Sequence, residues 1–310
     1  MEARGVAVES GGRLELPEQK IFCFDCGAVR LRRPIERAGQ APPLRRGFQV
    51  LDLQLKDKVV IVSGGAKGIG AAIVRALAKE GAVAAILDKD AAAAGALESE
   101  LQKSGVTCVV VIADLNEAAN CRDAVATVVE KLGRIDCVVN NAGVNDGVGL
   151  EKGTPEAFVE SLKRNLFHYY NLAHFALPEI KRNKGAIVNI ASKTAVTGQG
   201  GTSGYVAAKG GILALTREWA AELLPHEIRV NAVVPAEVMT PLYRQWLETF
   251  PNPEEKLKTI VAKIPLGKRM TTAEEIASMV VYLLSAQASH ITGQHFFVDG
   301  GYVHLDRALT

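Results

Sequence analysis

Tyr205 and Lys209 lie four residues apart in the run Tyr205-Val206-Ala207-Ala208-Lys209. The stretch around them, 203–224, has helical composition, and on a helix that spacing puts both side chains on one face. A phenol beside an ammonium is a latent base. The positive charge stabilises the phenolate, so a group that ordinarily titrates near ~10 moves toward neutrality, where it can take a proton from an alcohol. A second constellation lies far upstream. Ser63-Gly64-Gly65-Ala66-Lys67-Gly68-Ile69-Gly70 follows an apolar run and precedes a helical stretch. Glycines there let the backbone turn sharply and approach a diphosphate, and the helix N-terminus adds free N–H groups and a positive dipole end. Asp88 comes 18 residues after Gly70, at the end of the next apolar run. A carboxylate at that point can accept both hydroxyls of an adenosine ribose and repels a 2′-phosphate. Its other reading is an N-cap for the helix from Ala91. Lys67, a base inside the loop, pulls toward a 2′-phosphate. Asp88 is given the greater weight, so NAD is expected, with NADP as the alternative.

These groups need a scaffold, and the apolar pattern supplies one. Strands are expected at Lys58–Val62, Val83–Leu87, Thr107–Ile112, Cys137–Val139, Ala186–Ile190, Arg229–Val234 and Phe296–Val298. Helical stretches fall at Gly68–Lys79, Ala91–Lys103, Glu117–Lys131, Thr154–Lys181 and Ser203–Leu224. Continuous apolar strands alternating with helices imply an α/β fold, a doubly wound parallel sheet of Rossmann type covered on both faces. Residues 51–310 read as one catalytic domain. Residues 1–50 carry nine basic and six acidic side chains, four prolines and no sustained periodicity, and read as a disordered or loosely attached extension. Translation from near Val50 is a further reading of that segment. Cys23 and Cys26 form a CxxC pair, but Cys108, Cys121 and Cys137 are scattered singly, so no four-thiolate metal site is expected.

Composition narrows the function class. The 310 residues carry 36 Lys+Arg against 34 Asp+Glu, a net charge of +2, with 48% apolar and 23% charged residues. That is a globular composition without the basic excess of a nucleic-acid protein. No apolar run reaches the ~18 residues of a membrane helix, and five cysteines make no disulfide framework. A cytoplasmic protein acting on a small molecule is expected.

With these residues in place the chain resembles the short-chain dehydrogenases/reductases. Asp114-Leu115 follows strand three, Asn140-Asn141-Ala142-Gly143 follows strand four, Ser192 lies thirteen residues before Tyr205, and Asn165 lies 25 after Asn140. Ser63 stands where threonine is more usual, and Pro235-Ala236 where Pro-Gly is common. The resemblance implies a catalytic set of Asn165, Ser192, Tyr205 and Lys209. Ser192 would bond the substrate oxygen, Lys209 would also hold the nicotinamide ribose, and Asn165 would anchor a water linking Lys209 to solvent. It also implies cofactor contacts from Gly64, Lys67, Gly68, Ile69, Gly70, Asp88, Asp114, Leu115, Asn141, Gly143, Tyr205, Lys209, Pro235, Val238 and Thr240.

The segments expected around the substrate are polar. They contain Asn145 and Asp146, Ser192-Lys193-Thr194, Gln199, and Glu237 followed by Tyr243, Arg244 and Trp246. Carboxylates and amides beside an aromatic suit a sugar, whose hydroxyls need partners. Asn145, Ser192, Gln199, Tyr205 and Glu237 are the substrate candidates. Glu237 can also be read as a surface carboxylate on a mobile lid. The segments 140–149, 192–205 and 235–243 and the C-terminal DGGYVHLDRAL are similar to bacterial L-fucose dehydrogenases, a group that oxidises the anomeric hydroxyl of aldoses to a lactone. Two alternatives stay open: a reductase of ketone or 3-oxoacyl substrates, and a dinucleotide sensor without turnover. By the same resemblance, the helices bearing Asn165 and Tyr205 would pair across a two-fold in a homodimer or homotetramer. Leu166, Phe167, Leu172 and Phe175, with Ile212, Leu213, Leu215 and Trp219, would supply the apolar surface, some of it being core against the sheet. The tail from Tyr302 would either reach a neighbouring subunit or lie on the surface.

Overall fold

A computed structural model describes residues 51–305. The N-terminal extension with its CxxC pair, and the last five residues, lie outside the described residues. Seven strands form one parallel sheet: β1 (Val59–Ser63), β2 (Val83–Asp88), β3 (Cys108–Ile112), β4 (Cys137–Asn140), β5 (Ala186–Ile190), β6 (Arg229–Pro235) and β7 (His295–Val298). Their order is β3-β2-β1-β4-β5-β6-β7, with Val60 opposite both Ala84 and Cys137. The order reverses between β1 and β4. The loops that leave those two strands therefore diverge and open a crevice at their carboxyl ends.

Every residue of β1, β4 and β5 is buried, which is why these strands are apolar runs without alternation. Successive side chains face opposite layers. Val60 and Val62 join one apolar layer, and Val59 and Ile61 the other. The first layer is closed by α1 (Gly68–Lys79), α2 (Ala91–Lys103) and α9 (Ala273–Leu284). Ile73 and Leu77 of α1 share it with Ile276, Val280 and Leu284 of α9, and these two helices pack directly together. The second layer is closed by α3 (Ala118–Leu132), α5 (His168–Asn183) and α6 (Ser203–Glu222).

Three departures from the sequence reading matter. The single helix expected over 154–181 is broken. It consists of α4 (Pro155–Leu162), a π-helical turn at Lys163–Phe167, and α5. Two short helices, α7 (Pro241–Leu247) and α8 (Pro253–Val261), follow β6, and α9 was not anticipated either. The apolar surface expected to mediate pairing is also largely spent inside the subunit. Leu172, Ile212, Leu213 and Trp219 are buried in the second layer, with Leu166, Phe175 and Leu215 packed partly against it. Of the residues named for pairing, Phe167 is exposed, joined by Val159 and Tyr170. No helix among the described residues is long and apolar enough to cross a membrane. None of their His, Cys, Asp and Glu side chains cluster in threes as a metal site would need.

Candidate active site

The floor of the crevice is a knot between β1 and β4. The Ser63 hydroxyl accepts the backbone N–H groups of Asn141 and Ala142 at 2.9 and 3.1 Å. Serine thus serves where threonine is more usual, because only the hydroxyl is used. The Asn141 amide donates to the carbonyls of Ser63 and Gly64, both at 3.0 Å, so its side chain holds the glycine loop rather than projecting from it. Gly70 admits no side chain: a Cβ there would lie 2.0 Å from the Gly64 carbonyl oxygen. Chain thus approaches chain closely as α1 begins, and no side chain caps the first turn of that helix. A Cβ on Gly68 would sit 3.3 Å from Thr240, so the loop after β6 closes over the glycine loop. Pro235 ends β6, Val238 is buried and bridges to Thr271, and Thr240 caps α7 by accepting from Tyr243 N–H at 3.1 Å.

Asp88 stands half-buried at the end of β2. Its two oxygens accept N–H bonds from Ala66 and Asp90, each at 3.0 Å. Every carboxylate oxygen keeps a second acceptor site, so both ribose hydroxyls can still bond there. The N-cap of α2, the other reading of Asp88, falls instead to Asp90, which accepts from Ala93 N–H at 3.0 Å. Asp90 also pairs with the Lys67 ammonium. The base inside the glycine loop therefore already faces a carboxylate, which weakens its pull toward a 2′-phosphate. Asp114 is exposed after β3, and Leu115 is buried beside it. Cradle, uncapped helix end and acceptor carboxylate together fit a dinucleotide.

The expected catalytic residues converge beyond this floor. The Ser192 hydroxyl, just past β5, accepts from the N–H and hydroxyl of Thr194 at 3.2 and 3.0 Å, and its influence on the Tyr205 phenol is to lower it. With Thr194 donating to its oxygen, the Ser192 hydroxyl keeps its own proton free to donate. Lys209 is 2% exposed, and its Nζ lies 5.6 Å from the centre of the Tyr205 ring. Burial dominates both titrations. It pushes the Tyr205 phenol up, against the Ser192 bond that lowers it, and pulls the Lys209 ammonium down to about 7. The fall toward neutrality that a base needs therefore demands further positive charge at the phenol.

Asn165 occupies the π-helical turn. Its Oδ1 accepts from Val144 N–H at 2.7 Å, and its Nδ2 donates to the Ser161 carbonyl at 3.0 Å. The side chain therefore ties α4 to the loop after β4, with both its oxygen and its amide engaged on the chain. Gly143 lies under both groups: a Cβ there would be 2.9 Å from Asn165 Oδ1 and 3.5 Å from Lys209 Nζ. Tyr169, four residues beyond Asn165, escaped the sequence reading. It is fully buried, and its hydroxyl accepts from Lys209 Nζ at 3.0 Å. The only local signal for it was the i,i+4 spacing from Asn165.

Among the residues expected to face substrate, Glu237 is not a free lid carboxylate. One oxygen pairs with Lys193, and the other accepts from the Tyr243 hydroxyl at 2.8 Å. Lys193 is itself buried, with its ammonium 4.1 Å from the centre of the Tyr302 ring. The described part of the C-terminal tail thus docks on its own chain. Asn145 and Gln199 lie exposed on the loops after β4 and β5. Asp146 is turned inward, accepting from the Ser161 hydroxyl at 2.8 Å, so it leaves the polar set expected to face substrate.

Residues 64–303 match the family described as enoyl-(acyl carrier protein) reductase. The chain is 36% identical over 245 residues to the L-fucose dehydrogenase of Bos taurus, covering 79% of this chain and 88% of that protein. It is 33% identical over 252 residues to the 3-oxoacyl-(acyl-carrier-protein) reductase FabG of Thermotoga maritima, covering 81% of this chain and all of that one. The crystal structure of Cj0485 dehydrogenase superposes with a TM-score of 0.81 at 46% identity, covering 84% of this chain and 99% of that one.

Proposed function

The chain belongs to the short-chain dehydrogenase/reductase family of nicotinamide-dependent oxidoreductases, and on that premise we propose that it oxidises the C1 hydroxyl of an aldose, L-fucose or a close relative, to a lactone. One observation carries the substrate class. Lys193, the residue after Ser192, packs with Glu237 and Tyr243 into a hydrogen-bonded set, where an acyl chain or a steroid would need an apolar groove. The L-fucose dehydrogenase relative agrees with it.

In this reading the C1 hydroxyl lies between Ser192 and Tyr205. The Tyr205 phenolate takes the hydroxyl proton while the C1 hydrogen departs with its electron pair, and the C1–O bond becomes a carbonyl. Ser192 steadies the oxygen throughout. Lys209 supplies positive charge beside the phenolate and a donor for the nicotinamide ribose. The proton then leaves through Lys209 and a water held at the π-helical turn. Held by its diphosphate at the glycine loop, the oxidised cofactor would supply the hydride acceptor and a positive charge. Asp88, with Lys67 engaged by Asp90, favours NAD. A homo-oligomer is proposed through the face that bears Phe167 and Tyr170, and residues 1–49 are proposed to be dispensable.

The FabG relative supports a second reading, reduction of a 3-oxoacyl group by the same catalytic residues. One assay separates the two. Protein mixed with NAD and a panel of aldoses should generate reduced nicotinamide, fastest with L-fucose, and Tyr205→Phe should abolish it. Consumption of reduced cofactor with a 3-oxoacyl thioester, and none of its formation with any aldose, would overturn the sugar reading.

A further inference from the structure

Lys209 Nζ, the Tyr169 hydroxyl and the Ile190 carbonyl oxygen form a closed triangle. Lys209 donates to Tyr169 at 3.0 Å and to Ile190 at 2.8 Å, and Tyr169 donates to Ile190 at 2.9 Å. Tyr169 is 0% exposed and Lys209 2%. Two of the ammonium's three donors are therefore anchored on protein, leaving one for the catalytic side. The triangle also joins three elements: Tyr169 leads out of the π-helical turn on α5, Ile190 ends β5 two residues before Ser192, and Lys209 shares α6 with Tyr205. The ammonium sits between two tyrosine rings, 5.1 Å from Tyr169 and 5.6 Å from Tyr205.

We propose that Tyr169 is a positioning residue for the Tyr205–Lys209 base, its hydroxyl keeping the buried Lys209 charged and aimed at the phenol. A buried ammonium stays protonated only where acceptors replace its water. Tyr169 is the side-chain acceptor that does so, beside the backbone carbonyl of Ile190. It suits the task because it remains neutral: burial holds its phenol well above the ordinary range, with Tyr205 adding to the effect. The other titratable groups around Lys209 are Tyr205 on α6 and His168 on α5. His168 is pulled down to about 4 by burial, so it adds no charge of its own near neutrality. Asp114 acts on His168 at longer range.

The inference rests on the assignment of Tyr205 and Lys209 above, and Tyr169→Phe tests it. Phenylalanine keeps the ring, and Lys209 still donates to the Ile190 carbonyl, so no buried acceptor is stranded. Without the hydroxyl the ammonium is less favoured and the phenolate loses its partner. The acid limb of the kcat profile should therefore move up by about one pH unit, equivalent to about 1.4 kcal/mol, while the plateau at high pH is retained. A merely structural role would lower kcat equally at every pH, or lower the melting temperature with the profile unmoved. Either result, or a variant that does not fold, would overturn the proposal. Tyr205→Phe, run alongside, separates the two failures. If it is inactive while Tyr169→Phe keeps the wild-type profile, only the role of Tyr169 fails. If it stays active, the assignment beneath both fails.

Discussion

Replacing Glu237 with alanine perturbs two things at once, and the structure sets the size of each. The side chains of Lys193 and Glu237 are only 11% and 13% exposed. Removing the carboxylate strands an ammonium that water barely reaches. Breaking a buried pair from one side costs about 3–5 kcal/mol. The Tyr302 ring at 4.1 Å faces the ammonium before and after the substitution, so it leaves that cost unchanged. Glu237→Ala should therefore lose about 3–5 kcal/mol of stability, or roughly 6–20 °C in melting temperature for a domain of this size. Lys193→Met should cost somewhat less, because the Tyr243 hydroxyl still bonds the carboxylate at 2.8 Å. The double variant removes both charges. It should fall short of the sum of the two losses by about 2 kcal/mol, read from urea unfolding curves. Kinetics follow separately. A buried hydrogen bond from sugar to carboxylate is worth about 1.5–3 kcal/mol, so kcat/KM for L-fucose should drop roughly 10- to 150-fold. The dissociation constant for NAD should stay nearly unchanged. Losses that add to within about 0.5 kcal/mol, or unaltered sugar kinetics in Glu237→Ala, would refute the reasoning.

Cofactor choice should turn on the carboxylates after β2. Wild-type protein should prefer NAD, Asp88→Ala should narrow the preference, and Asp90→Asn should help NADP by releasing Lys67; equal wild-type use of both cofactors would mean that Lys67 outweighs Asp88. His168 should make the fold acid-sensitive. Its folded-state value near 4 lies below the ordinary 6.5, so the unfolded chain takes up a proton first and stability is lost as pH falls through that window. The loss is about 3 kcal/mol at most; urea unfolding above and below the window should show it in wild type and not in His168→Gln. A chain beginning at Val50 should keep full specific activity and melting temperature, and a large loss of either would show that residues 1–49 dock on the domain.

Much of the fold was legible because buried parallel strands announce themselves. Ala186–Ile190 is wholly apolar but for Asn189, and α1 and α2 run between the residues that their composition and flanking breaks suggest. The π-helical turn was not legible. It depends on where the Asn165 side chain finds Val144 and Ser161, partners 21 residues before it and four before it. α9 does carry a legible signal: Thr272 and Glu275 form a capping box ahead of Ile276, Val280 and Leu283. The Lys193–Glu237 pair spans 44 residues and involves no local pattern. Buried and exposed apolar residues of the π-helical turn and α5 also look alike in sequence. Leu172 and Phe167 are equally apolar, yet the first is core and the second is exposed.

The packing of α9 on α1 has a consequence for how the chain is made. α1 is complete by residue 79, whereas α9 begins at Ala273. During synthesis the face bearing Ile73 and Leu77 therefore waits for almost two hundred residues before its cover emerges. Until then the early strands and helices form a half-built layer with its apolar side open, the kind of intermediate that associates with its own kind. The dinucleotide half should consequently not be separable as a free-standing module. Truncation before Ala273 should yield aggregates even though the whole glycine loop is present, while supplying the missing helix in trans should restore solubility.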